Sequence, residues 1–488
     1  MSRTLRRTRL VRLALAGVLG ALTMLSLPPW GLWPLGPVGF GLWLRFCDPG
    51  PDGGRWRDRL ASACAFWLGA YLLGLFWMTE LTVPGWAAAL PVETLIMALP
   101  TSLIAARGTW RMVTAAAALV VGEAARWTVP FGGVAMSNLA LGQVDGPWLA
   151  VASAAGSVGI IAVVGVGAVV VERLCAREWV QVWQPALVLT VVSVAVLAVP
   201  DTAVSATIDA AVVQAGGELG TDVGTPQRSA RLRHLATTAD WSGTADLMVW
   251  SESSTSSDGP LEESPRLAEL EALASERDLV LVANFYERTA DESPPRFRNA
   301  TVAVGPSFGL TDRYDKAHLV PFGEYVPLRG LVEPFADLSL IAREAIAGEG
   351  PGVVKTPLGD VAVATSYEIY FPGLVRAGVR AGGSIVANPT LASSYRSSVV
   401  PSQSLASARL RAVETRRWVL QASTTGYSAI VAPDGTVTAR SELREPAVLV
   451  APVELRTGTT PAVALGMWPL AIAAAAVLVW RGLRLGDN

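Results

Sequence analysis

RYDKAHLVPFGEYVP occupies residues 313–327 and sets Lys316, His318 and Glu324 among apolar and aromatic neighbours. Pro321, Gly323 and Pro327 fix the backbone around them. A proline-stiffened surface loop is the plain alternative, but it gives no reason for so many charged and aromatic residues to be held together. Two other stretches share this character. VWSESS, residues 249–254, puts Glu252 just beyond an apolar strand; taken alone, it reads as a solvated strand-end carboxylate. VATSYEIYFPG, residues 363–373, ends an apolar lead in Thr365 and Ser366, then runs through Tyr367 and Glu368 to a Pro-Gly stop. Ser366 reads either as a nucleophile at a strand end, with an acid two residues on, or as a turn residue.

Working outward, the segment from about residue 200 to 460 alternates between two periods. Strand-like runs are expected at 205–214, 246–250, 279–286, 300–305, 360–364, 384–387, 418–422, 428–432 and 447–453. Helix-like stretches fall at 228–239, 264–277, 371–381 and 401–415, the second opening on a Ser264 cap. Strands alternating with helices predict an α/β layered domain. Polar stretches at 253–264 and 289–295 read as loops. GPSFG, residues 305–309, matches the pattern of a nucleophile elbow, but no helix follows it and a hairpin turn is expected instead. Of the two histidines, His318 lies near the suspected site, while His234 falls in a helix-like stretch and is expected to be structural.

The rest of the chain is lipid-like. Of 488 residues, 51% are hydrophobic and only 16% charged, and the mean hydropathy is +0.40. Spans are expected at 10–27, 30–44, 60–78, 86–106, 112–129, 148–171, 180–199 and 461–480, the second being short and carrying Pro34 and Pro37. The first, despite its Arg-rich start, reads as a span because no small-residue cleavage site stands out. With eight spans, Arg3, Arg6, Arg7, Arg9 and Arg12, then Arg45, Arg55, Arg57 and Arg59, then Arg107 and Arg111, then Arg173 and Arg177, then Arg481 and Arg484 all fall on one side. Arginine collects in cytoplasmic loops. Both termini are therefore expected in the cytoplasm and the large polar segment outside it. A net charge of −2 gives no field that favours nucleic acid. Cys47, Cys64 and Cys175 lie in apolar or membrane-proximal stretches, show no disulfide or zinc-like spacing, and leave the polar segment without a thiol.

WSESS, YDKAHLVPFGEYVP and TSYEIYFPGLVR, in that order, resemble the three catalytic segments of the nitrilase, or carbon–nitrogen hydrolase, superfamily. Eight spans around such a domain resemble the apolipoprotein N-acyltransferase family. So do GEAARWTVPFGG (122–133), NLALGQ (138–143) and LRAVETRRWVLQASTTGYSAIVAPDG (410–435). The resemblance implies a multi-pass α-helical membrane domain plus an α/β nitrilase-like α-β-β-α sandwich. The corresponding domains are 1–200 with seven spans, 201–458 as the extracytoplasmic domain, and 459–488 as a last span with a short tail. It implies Glu252 as general base and Lys316 as the cation beside the oxyanion, with Glu324, Tyr367, Glu368 and Asn388 in support. Ser366 stands where the family has its nucleophilic cysteine. A second departure follows: the family's Asn-Asp-Gly-Trp reads here Asn388, Pro389, Thr390, Leu391. The implied reaction moves an acyl chain from a phospholipid to the N-terminal diacylglyceryl-cysteine of a bacterial lipoprotein in the cell membrane, with no cofactor or metal and no nucleic acid. Serine is harder to deprotonate than cysteine. Two other readings therefore stand beside it: a pseudoenzyme that binds lipid or lipoprotein or modulates an active paralogue, and a membrane-tethered amidase.

Overall fold

The computed structural model describes residues 3–48, 55–105, 108–218, 227–289, 295–333 and 343–486. Ala106 and Arg107, and residues 290–294 of the expected loop at 289–295, lie outside the described residues. The chain forms two compact units, one of Met1–Pro200 with Leu465–Asn488, the other of Asp201–Ala464.

The first unit is helical: Arg3–Met24, Leu35–Phe46, Trp56–Gly74, Val83–Thr101, Thr109–Arg126, Val151–Cys175, Trp179–Ala195 and Trp468–Gly486. Each expected span has a helix, but their reach differs. Among the described residues, three are long and apolar enough to cross a membrane, Val83–Thr101, Val151–Cys175 and Trp179–Ala198, while Trp468–Leu483 is a shorter apolar helix. The expected span at 30–44 is cut down because Pro34 delays the helix start to Leu35. Its 12 residues rise only about 18 Å against a hydrocarbon core of about 30 Å. Close backbone contact joins the first and third helices: a Cβ on Gly69 would lie 2.0 Å from the Gly17 carbonyl oxygen. Within this unit Arg126 is wholly buried between Glu93 (2.6 Å) and Glu123 (2.8 Å). Its guanidinium also donates to the Met136 carbonyl, and Glu123 accepts from the Leu139 N–H. The two stretches 122–133 and 138–143 are thereby tied together.

Among the described residues the second unit holds fourteen strands: β1 Ala203–Gln214, β2 Leu247–Val249, β3 Thr255–Asp258, β4 Val280–Arg288, β5 Arg296–Gly305, β6 Gly309–Asp315, β7 Glu344–Ala345, β8 Val353–Val354, β9 Val361–Val363, β10 Ile385–Thr390, β11 Val419–Ser423, β12 Ala429–Val431, β13 Val437–Arg440 and β14 Ala447–Thr457. Among the described residues they make two sheets. One is ordered β14-β1-β2-β4-β5-β6, with β3 on β4 and β7 on β5; the other is β13-β12-β11-β10-β9-β8. Alternate residues explain the layering. Val212, Val249 and Val282 of the first sheet meet Val363, Ile385 and Leu420 of the second in one buried core. Their neighbours Val213, Met248 and Leu281 point the other way, against Leu267, Leu270 and Ala274 of helix Pro265–Arg277. Helices Pro372–Arg380 and Val399–Thr415 pack on β9 and β11 of the second sheet. The architecture is an α/β sandwich with helices outside both sheets.

Every expected strand and helix of this unit is present to within a few residues. GPSFG is the turn of the β5–β6 hairpin, with Gly305 opposite Gly309. The expected loop at 253–264 is corrected. Thr255–Asp258 pairs with Phe285–Arg288 as β3, and its polar side chains turn inward, with Ser256 and Ser257 buried.

Candidate active site

The strands place the chemistry at their ends. β1, β2 and β4 run parallel, as do β9, β10 and β11, and β6 follows β4 through two antiparallel pairings. Glu252 lies just beyond β2, Lys316 one residue beyond β6, Ser366 beyond β9 and Thr390 at the end of β10. Carboxyl ends of parallel strands gather side chains that the sheet interior cannot hold.

Lys316 is 1% exposed. Its Nζ lies 2.8 Å from Glu324 Oε1 and 3.5 Å from Glu252 Oε1. Burial pulls the Lys316 pKa down, but Glu324 and Glu252 outweigh it and the net shift is upward. The lysine is held as a cation. Burial pushes the Glu252 carboxyl above its ordinary range, Lys316 opposes that and Glu324 adds to it. Hydrogen bonds from Asn299 and from the Ser366 side chain pull it back. The Ser366 hydroxyl is thus among the groups that lower the Glu252 pKa.

Asn299 was not visible as a site residue in the sequence. Its Nδ2 donates to Glu252 Oε1 at 2.8 Å and reaches Glu324 Oε1 at 3.5 Å. Its Oδ1 accepts from Asn284 Nδ2 at 2.7 Å, and Asn284 in turn accepts from the Ser253 N–H. Its backbone carbonyl accepts from the Lys316 N–H at 2.8 Å. One amide thus spaces two like charges and fixes the lysine's backbone. The available signal was a polar residue breaking the apolar run of a strand, at Asn284 in VLVANFYER and Asn299 in RFRNATVAVG.

Glu368, expected beside the nucleophile, works as the clamp between segments. Wholly buried, its Oε1 accepts from Tyr314 Oη and from the N–H groups of Ala317 and His318. Its Oε2 accepts from the Thr365 N–H at 2.8 Å. Burial raises its pKa, while Lys316 and these donors lower it. Glu324 is clamped likewise, its Oε2 accepting from the Val320 N–H at 2.8 Å. Tyr367 packs against His318 and Phe371, with ring centroids 5.8 and 5.0 Å away. Burial, aided by Lys316, drops the His318 pKa to about 4, so the imidazole is neutral and its Nε2 is buried without a partner. Asn388 lies under the turn and donates from Nδ2 to the Ala364 carbonyl at 2.5 Å.

Backbone geometry marks the same places. Ser253, Phe322 and Ser366 have φ of 53°, 60° and 54°, a left-handed conformation that side chains resist. One such residue sits in each of the three segments. His234 is buried beneath the first: its Nδ1 bonds to the Ala230 carbonyl and its Nε2 to Ser251 Oγ, at 2.9 and 3.0 Å. Among the described residues, no group of three His, Cys, Asp or Glu could hold a metal ion.

Residues 209–460 match the family model "Carbon-nitrogen hydrolase", and residues 19–170 match "Apolipoprotein N-acyltransferase N-terminal domain". An apolipoprotein N-acyltransferase of Mycolicibacterium smegmatis is 32% identical over 237 residues, 48% of this chain and 40% of that protein. One of Azotobacter vinelandii is 32% identical over 244 residues, 49% and 46%. The matched stretches are less than half the length of each relative. Among solved structures, Saccharomyces cerevisiae Nit3, a member of branch 10 of the nitrilase superfamily, aligns at 21% identity with a TM-score of 0.39, covering 52% of this chain and 93% of its own. The chain belongs to the carbon–nitrogen hydrolase family, joined to the N-terminal domain of the apolipoprotein N-acyltransferases.

Proposed function

We propose that the chain is a membrane N-acyltransferase that moves an acyl group from a phospholipid to the α-amine of a diacylglyceryl-cysteine at the N-terminus of a lipoprotein. The observation that carries this reading is the meeting of Glu252, Lys316 and Glu324 with the Ser366 hydroxyl, in a chain whose residues 19–170 match the acyltransferase N-terminal domain.

In the first half-reaction Glu252 takes the Ser366 proton as Oγ bonds to the ester carbonyl carbon. The oxyanion that forms is stabilised by the Lys316 cation and backbone N–H groups. Collapse breaks the acyl–oxygen bond to glycerol, whose oxygen takes the proton from Glu252 and leaves as lysophospholipid. In the second half the acceptor amine attacks the acyl-serine ester, gives its proton to Glu252, and Ser366 leaves with that proton as the amide forms. Glu324 keeps Lys316 in place, and Glu368, Tyr367 and Asn388 hold the turn that presents Ser366.

The placement of this site rests on charge. Eight spans would put the arginine groups at residues 3–12, 45–59, 107–111, 173–177 and 481–484 on the cytoplasmic face, leaving little but Arg126 in the opposite short loops. The nitrilase-like domain then meets the outer leaflet, where lipid-anchored exported proteins reside.

The test uses the full chain, phospholipid vesicles and a synthetic diacylated lipopeptide, with product read by mass spectrometry. Triacylated peptide from the native chain and none from Ser366→Ala supports the reading. Product from neither chain sinks it. Free fatty acid without triacylated peptide would point to water as the acceptor, the amidase-like outcome.

A further inference from the structure

Ser366 and Thr390 are separate in the chain by more than twenty residues and meet in the fold. β10 continues past its pairing with β9, which ends at Ala387, and carries Asn388, Pro389 and Thr390 alongside Gln421–Ser423 of β11. Thr390 is only 7% exposed. Its Oγ1 donates toward Ser366 Oγ at 3.5 Å.

We infer that Thr390 is a positioning residue for an oxygen nucleophile, donating to Ser366 Oγ. This rests on the reading of Ser366 as the attacking group. A serine hydroxyl has one proton to give and lone pairs to fill. With Thr390 donating into a lone pair, the Ser366 proton is left to point at the Glu252 carboxylate. As that proton leaves, the charge growing on Oγ strengthens the Thr390 hydrogen bond, which stabilises the alkoxide more than the neutral alcohol. The distance is at the outer limit for a hydrogen bond, as such contacts often are before substrate binds. Lys316 is engaged elsewhere, by Glu324 and Glu252. A thiol would have less use for this donor, because it ionises far more readily than an alcohol and sulfur is a weaker hydrogen-bond acceptor than oxygen. Ser366 and Thr390 therefore read as one unit: an oxygen at 366 and a hydroxyl to serve it at 390.

The experiment measures covalent capture of Ser366 in the full chain by an alkyl fluorophosphonate, which bonds phosphorus to the serine oxygen with loss of fluoride. Rates are followed by peptide mass spectrometry from pH 5 to 9. The native chain is expected to label at Ser366, and Thr390→Val to label about tenfold more slowly, with its rate rising at higher pH. Thr390→Ser should restore both rate and profile, which a packing role would not predict. The same pair of chains is compared with Ser366→Cys in the background, using iodoacetamide. There Thr390→Val should change the alkylation rate less than twofold. Equal losses on the serine and cysteine backgrounds would make Thr390 a packing residue and overturn the inference, as would a Thr390→Val rate and profile identical to native. Both outcomes leave Ser366 as the nucleophile. A native chain that never labels at Ser366 overturns the inference together with the reading beneath it.

Discussion

On one side of the site, Lys316 lies 2.8 Å from Glu324 and 3.5 Å from Glu252, with Asn299 donating to Glu252 at 2.8 Å. On the other, Ser366 is half-exposed on a left-handed turn and meets Thr390 only at 3.5 Å. The first wall is buried, ionic and over-determined. The second is one residue held by backbone geometry and a distant hydroxyl. The ionic wall must exist before substrate arrives, because burying an unpaired charge is costly. The hydroxyl wall needs to tighten only as charge develops. Stability and reactivity should therefore separate between the two walls, and substitutions can pull them apart.

The largest effect is expected on the ionic side. Lys316→Met leaves Glu252 and Glu324 buried without their cation, which should cost about 3–5 kcal/mol of unfolding free energy and abolish acyl transfer. Chemical denaturation of the full chain in detergent, alongside the lipopeptide assay, measures both. A Lys316→Met chain of native stability would break the contrast. Ser366→Ala is the mirror case: loss of turnover by several powers of ten, on the order of 10⁴ or more, with unfolding free energy within about 0.5 kcal/mol of native.

The buried histidine under the ionic wall comes next. Burial drops the His234 pKa to about 4 from 6.5. Above pH 6.5 both folded and unfolded chains hold it neutral, so it contributes no pH dependence there. Between pH 6.5 and 4 only the unfolded chain takes up the proton. Stability should therefore fall over that window, by on the order of 3 kcal/mol. With only two histidines in the chain, NMR of histidine-labelled protein should show both ring signals in the neutral position down to about pH 5. A midpoint near 6.5 for His234 would refute this. Glu368→Gln is the smallest effect that still crosses between the walls. It replaces an acceptor of four hydrogen bonds by a group that must also donate. A loss of about 1–3 kcal/mol is expected, and the Tyr314 and Ser366 segments should exchange amide hydrogens faster.

The sandwich was legible because its strands are buried on both faces or alternate cleanly. VAVATSY, LMVW and VLVANFY announce themselves by apolar content alone. What stayed hidden is polar. β3 is TSSD and β6 is GLTDRYD, strands made mostly of polar residues, so hydropathy passes over them. The candidate positions Glu252, Lys316 and Ser366 could be proposed from their motifs, yet Asn299 could not, since its value lies in two carboxylates brought to it from residues 252 and 324. Thr390 was obscured by Pro389. A proline argues against a strand, but β9 has already ended there, and Pro389 is paired with β11 alone. In the helical unit, hydropathy located each helix but overstated the second, where Pro34 precedes a helix of only 12 residues.

The antiparallel ladder of β1 and β14 runs from Ala203 opposite Thr457 to Gln214 opposite Ala447. The first and last strands of the sandwich are thus stitched together where the polypeptide enters and departs. Such a domain is a cassette whose topology closes on itself, its first and last strands being neighbours. Excised between residues 201 and 464, it should keep its register without the helices, and its neighbours could be exchanged without unravelling it.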